Sequence, residues 1–305
     1  MNTPAIYGST HHLLLSVRGA RWHEVELAMF TLYTDDSGTD PNQQVAIATM
    51  LRVPSLKIIP LEREWDTFRR KEGFNWFHTS EFMARNPKSQ FAGWSDDKQR
   101  CVWRRVQQIS KKYGVRALSV AVNKKDYDEV VPDHYRNYFG RYHYTWAVRQ
   151  IVSFVGKWYE ANPTVPFEFI FQWMGGPIDP KRREVETVME QAQWMADRKI
   201  TLGNYENYGF RQSAGIPGLQ CVDAIAWVSY RYAQHIFCKT PLPDMALEAW
   251  RYFEGPLAEA GWLFAVTILR DKLQKTIDKT LETGKAERYF KEWDERKARQ
   301  DGKTE

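Results

Sequence analysis

The sequence predicts an α/β protein, a central sheet with flanking helices followed by a helical C-terminal extension. Three observations carry that expectation. Apolar, β-prone runs of strand length recur at residues 30–35, 44–53, 115–122 and 165–173. Segments with apolar residues at helical spacing lie between most of them. Beyond Pro241-Leu242-Pro243 the chain carries helical spacing again and ends in continuous charge.

Composition narrows the class. At 305 residues, 43% of them hydrophobic, with 13 Trp, 15 Tyr and 16 Phe, the chain has ample material for a packed core. A net charge of +5, from 43 basic and 38 acidic residues, permits an anionic polymer as partner without requiring one. Cys101, Cys221 and Cys238 are odd in number and widely spaced, which argues against a disulfide framework or a zinc site and fits a reducing compartment. The apolar run His12 to Val17 is too short for a signal or a membrane span. The expectation is a soluble, cytoplasmic protein without membrane contact.

Residues 1–28 read as an N-terminal extension holding His11-His12, whose side chains point apart on helix or strand alike and so make a poor chelate. The first strand, in FTLYTDDSGT at Phe30 to Thr39, ends in the adjacent acids Asp35 and Asp36 and a Ser-Gly turn. Two neighbouring anions repel and lose hydration together, so such a pair asks for a divalent cation or a counter-charge. A turn at Asp40-Pro41-Asn42 leads to the strand Gln44 to Val53, making a hairpin. Leu61, Trp65 and Phe68 then mark a helix stopped by Gly73.

The aromatic segment FNWFHTSEFM, residues 74–83, holds His78 and Glu81. Ser95 is a suitable N-cap for a helix with Val102, Val106 and Ile109 on its buried stripe, and Asp96 and Asp97 suit the positive end of its dipole. The strand Val115 to Val122 follows. A long helix is expected between Asp133 and Glu160; its first half mixes aromatic, basic and His residues, a combination able to stack bases and neutralise phosphates. Residues 165–173 form a strand with Glu168, Ile170 and Gln172 on one side. Gly175-Gly176-Pro177 turns the chain into a charged, exposed helix from Arg182 to Ala196.

The last element of the main body starts at Pro217-Gly218. Gln220, Asp223, Trp227 and Tyr230 recur at steps of three and four on one face of that helix. An Asp among core positions near a helix start calls for dipole complementarity or metal coordination. Ala246 to Phe253 and Trp262 to Ile277 read as two further helices, and the charged segment after Lys285 as a solvated tail able to grip a protein partner. The boundaries so read are 1–28, a main domain at 29–240 with a helical insert, and 241–305.

Three motifs in this order resemble the domain-of-unknown-function family 3800 within the ribonuclease H-like superfamily: TDDSGT (34–39), FHTSEF (77–82) and PGLQCVDAIAW (217–227). The resemblance implies a ribonuclease H-like mixed central sheet. It also implies a metal-dependent nuclease or phosphodiesterase in which Asp35, Asp36, Glu81 and Asp223 form the acidic, metal-holding cluster, with His78 and Gln220 supporting it. Hard oxygen ligands imply Mg²⁺ or Mn²⁺, one or two ions acting by two-metal-type hydrolysis on RNA or DNA. Such sites usually take a further acid from the strand beside the first, where this chain offers Gln172; either Glu168 or Glu81 substitutes, or the site is weakened. The competing reading is a catalytically inactive nucleic-acid-binding or protein-interaction subunit using residues 134–144.

Overall fold

The computed structural model of the chain describes residues 29–160, 165–173, 178–198, 202, 205–254 and 262–301. The His11-His12 pair, the Gly175-Gly176-Pro177 turn and the last four residues lie outside them. Among the described residues no helix is long and apolar enough to cross a membrane.

A six-stranded mixed sheet forms the middle layer, in the order β5-β4-β1-β2-β3-β6. β1 (Phe30–Ser37) and β2 (Val45–Pro54) make the expected antiparallel hairpin, and β2 pairs antiparallel with β3 (Arg116–Asn123). On the other side, β4 (Phe167–Gln172) runs parallel to β1, and β5 (Tyr205–Arg211) runs parallel to β4. β1 therefore lies inside the sheet with a parallel neighbour, and its C-terminal tip opens where chain direction changes. That is the position at which open α/β sheets present ligand-binding residues.

Alternation along β1 feeds two cores. Leu32 packs on one face, against α6 (His143–Glu160) and α7 (Pro180–Asp197). Tyr33 packs on the other, against α1 (Ser55–Glu72), α3 (Asp96–Tyr113), α8 (Pro217–Cys238) and α9 (Asp244–Glu254). Between α1 and α3 the chain forms the short helix α2 (Thr79–Ala84), and α4 (Lys124–Val130) and α5 (Asp133–Phe139) precede α6. Ser95 caps α3 as expected, its Oγ accepting from Lys98 N at 3.2 Å.

Four sequence expectations are corrected. The helix expected over Asp133 to Glu160 is two, α5 and α6, parted at Gly140, whose φ of +122° no helix accommodates. The helix expected from Trp262 is instead the strand β6 (Leu263–Ile268), paired parallel with β3, and helix resumes only at α10 (Arg270–Glu282). The helix expected to be exposed, α7, buries Val185, Val188, Met189 and Ala192 on the sheet. The charged tail is a docked helix, α11 (Lys285–Asp301), with Phe290 and Trp293 buried.

The docking of α11 has a specific chemistry. Phe290 stacks on Tyr138 with ring centroids 4.3 Å apart, Trp293 meets Trp194 edge-on at 6.1 Å, and Tyr135 Oη donates to Glu287 at 2.6 Å. Phe290→Ala is expected to cost about 3–5 kcal/mol. Hydrogen exchange checks it: protection should fall across residues 285–301 before it falls in the sheet.

Candidate active site at the tip of the first strand

Asp35 occupies the end of β1 and is 2% exposed. Burial pushes its carboxyl well above the ordinary carboxylate range, and the charges of Asp223 and then Asp36 push it further; Asp36 N–H and the Lys181 ammonium oppose them. Its Oδ1 accepts from Asp36 N at 2.8 Å. The charge that raises it most is thus that of a residue far away in sequence, brought in by α8.

Two glycines allow α8 to sit that close. At Gly218 an added Cβ would stand 2.5 Å from Tyr33 Cδ2, so only glycine lets the first turn of α8 lie on the β1 ring. Gly38, at φ +77°, turns the chain out of β1; a Cβ there would clash with the Val45 carbonyl and stand 2.5 Å from Tyr230 Cε2. Hairpin and helix are locked together at both ends of the tip.

Asp223, partly accessible, lies in the second turn of α8. Its Oδ2 accepts from Thr79 N at 2.6 Å and Thr79 Oγ1 at 2.7 Å, leaving Oδ1 without a donor among the described residues. Burial raises the Asp223 carboxyl, while the charge of His78 and the two Thr79 bonds pull against it. His78 is the residue before α2; its Nδ1 lies 3.2 Å from Ser80 Oγ and its ring stacks on Trp76 at 5.5 Å. The FHTSEF segment therefore reaches the acids through Thr79 and His78. Glu81, partly exposed in the first turn of α2, is not among the strongest charges acting on either Asp35 or Asp223.

Gln220 does not present a free amide to the site. Its Oε1 accepts from Phe77 N at 2.7 Å and Trp65 Nε1 at 3.2 Å, and its Nε2 donates to Ser213 O at 2.9 Å. The side chain ties the loop before α8, α1 and the FHTSEF segment into one unit, a positioning role. Gln220→Ala leaves two buried donors unmade and is expected to cost about 2–4 kcal/mol. Chemical denaturation measures it, and a change below about 0.5 kcal/mol would show that the tether is dispensable.

The strand beside β1 decides what completes the acids. Thr31 pairs with Glu168 and Tyr33 with Ile170, so one step further along both strands Gln172 stands beside Asp35 on the same face. Gln172 Oε1 is buried with no hydrogen-bond partner among the described residues. Glu168 cannot stand in for it. It lies four residues back, roughly 13 Å along the strand, and accepts from Thr31 Oγ1 at 2.8 Å. Burial raises its carboxyl too.

Asp36 faces the other side, where its Oδ2 accepts from Lys181 Nζ at 3.1 Å and Thr39 Oγ1 at 2.7 Å. Sequence reasoning missed Lys181 and Thr79. Thr79 lay within a motif already singled out; Lys181 carried no local signal. Among the described residues no three His, Cys, Asp or Glu side chains form a metal-holding group. The oxygens available on that face of the tip are those of Asp35 and Asp223, with the unpartnered Gln172 amide oxygen on the neighbouring strand. A carboxyl pushed toward protonation and a buried acceptor lacking a donor both suit a hard cation, so the residues fit Mg²⁺ or Mn²⁺.

The segment 134–144, the alternative nucleic-acid face, is partly occupied from within. Arg136 pairs with Asp128 and Asp133 at 3.3 Å, His143 Nε2 lies 3.0 Å from Asp128, and Tyr138 is stacked under Phe290. Cys221 is buried and its thiol is pushed up to about 12 by desolvation, against any nucleophilic use.

Fold and site together define an α/β protein with a mixed six-stranded sheet flanked by helices and two acids at the tip of an inner strand. No known family model and no curated protein matches the chain. Among solved structures, one chain of the PCNA:RNase HII complex from Archaeoglobus fulgidus is similar at a TM-score of 0.35 and 10% identity, covering 72% of this chain and 88% of that one. At that level the likeness carries no argument, and the fold rests on its own strand order.

Proposed function

We propose that the chain is a metal-dependent nuclease or phosphodiesterase, a member of the domain-of-unknown-function family 3800, cleaving nucleic acid at the tip of β1. One arrangement carries this reading: α8, whose Gly218 lies against Tyr33 of β1, brings Asp223 from far along the chain to the buried Asp35, whose carboxyl it raises. A buried acid and a half-buried one that raises it are both relieved by a cation held between them.

Asp35, Asp223 and Gln172 Oε1 would hold the ion. When bound, it supplies a positive charge for the phosphate and lowers the pKa of water at the site. The chain's own residues do the remainder. Thr79 fixes the Asp223 carboxylate with two hydrogen bonds, so Oδ1 faces the site in one orientation. His78, which acts on the Asp223 charge and is held by its contacts with Ser80 and Trp76, is placed to take or return a proton. The Gln220 tether keeps His78 and Thr79 at that distance.

The Asp35→Asn, Asp223→Asn double variant is expected to lose manganese-dependent cleavage of single-stranded RNA or DNA by at least about 100-fold, the scale lost when a charge-stabilising group is removed. Cleavage as fast as the parent's overturns the reading. The competing binding-subunit reading has less support, because Arg136, Tyr138 and His143 within residues 134–144 are engaged within the fold.

A further inference from the structure

The acid next to Asp35 already has a positive partner. Alternation along β1 turns Asp36 away from Asp223. On that side Lys181 Nζ lies 3.1 Å from Asp36 Oδ2, with 21% of the Lys181 and 19% of the Asp36 side chain exposed. The same ammonium stands 4.7 Å from the centre of the buried Tyr144 ring. Lys181 is also held by its backbone: Asp179 caps α7, and its Oδ1 accepts from Lys181 N at 2.9 Å. An ammonium half-enclosed between a carboxylate and an aromatic face is a placed charge, unlike the swinging tip of a surface lysine.

We propose that Lys181 takes the place of a second cation, so that this is a one-ion site in which the ammonium supplies the other positive charge. The inference rests on the nuclease reading above and sharpens it. The carboxylate that β1 offers a second divalent ion is Asp36, and its Oδ2 is committed to Lys181 and Thr39. A divalent ion and an ammonium sharing one carboxylate at a few ångströms would also repel each other strongly. Lysine is a compact point charge suited to phosphate oxygens. Lys124, whose Nζ donates to the Asp40 carbonyl at 2.6 Å, adds a further cation near the same turn. The substrate group that suits an ion and an ammonium at one strand tip is a singly charged phosphodiester.

Isothermal titration calorimetry of the full chain with Mn²⁺ tests the inference, read beside the same titration of Lys181→Gln, with circular dichroism to establish that the variant folds. The expected result is one ion per chain for the parent and two for Lys181→Gln. Two ions in the parent overturn the lysine assignment and leave the nuclease reading standing. One ion in both proteins also overturns it, since Lys181 then excludes nothing. No ion in the parent removes the nuclease reading and the inference with it. If Lys181→Gln does not fold, the parent stoichiometry alone decides: one ion supports the assignment and two overturn it.

Discussion

In the absence of divalent cation, Asp35→Asn is expected to melt about 2 °C or more above the parent at pH 8, while losing the activity proposed for the site. The two effects share one cause. The Asp35 carboxyl is raised by burial and by the charges of Asp223 and Asp36, so the folded state holds a proton that the unfolded chain releases near the ordinary carboxylate value of about 3.9. With the folded value above the unfolded one, its stabilising contribution is complete below that ordinary value. It is lost as pH rises toward the folded value. At pH 8 the metal-free parent therefore bears the cost of a strained charge or of a proton taken up on folding, and asparagine bears neither. Thermal melts of both proteins between pH 4 and 8 should show the difference growing with pH across that window.

Added Mn²⁺ should reverse the order. An ion that binds only the folded state stabilises it by mass action, so the parent gains and the variant gains little. A variant that melts below the parent in the absence of metal would mean that Asp35 is held by contacts other than those described.

The second large effect concerns Gly38. Gly38→Ala is expected to cost about 2–4 kcal/mol, combining the left-handed backbone penalty with overpacking. A methyl group there meets the Val45 carbonyl and the Tyr230 ring, and neither can withdraw: Val45 is in the sheet and Tyr230 is buried on α8. Because Gly38 fixes the exit of the strand that carries Asp35 and Asp36, metal affinity should fall along with stability. Gly73→Ala is the control, since Gly73 has a similar φ of +80° and open space around it; its cost should be the backbone share alone. Equal losses at the two positions would show that the tight packing of Gly38 contributes nothing.

Much of this was legible in the sequence because it was local. The abrupt change from apolar strand to Asp35-Asp36, the glycine after Ser37 and the three-four spacing through Asp223 are patterns of a few residues, and they placed both acids on the right elements. What escaped depends on partners from distant segments. Lys181 pairs with Asp36 across a parallel crossover, which no local pattern reports. Leu263–Ile268 became a strand because the edge of β3 was free to receive it. The charged tail docked because Phe290 and Trp293 meet rings at Tyr138 and Trp194, contributed by other helices. Gln172 was read as standing where an acid is usual; the sheet shows there a buried acceptor that lacks a donor among the described residues.

Manganese-soaked crystals, measured at the manganese absorption edge, test the central claim most directly. The account predicts an anomalous peak at the tip of β1 with Asp35 and Asp223 oxygens each about 2.0–2.3 Å away. A saturating soak with no peak there, or a peak held by only one of the two acids, contradicts it.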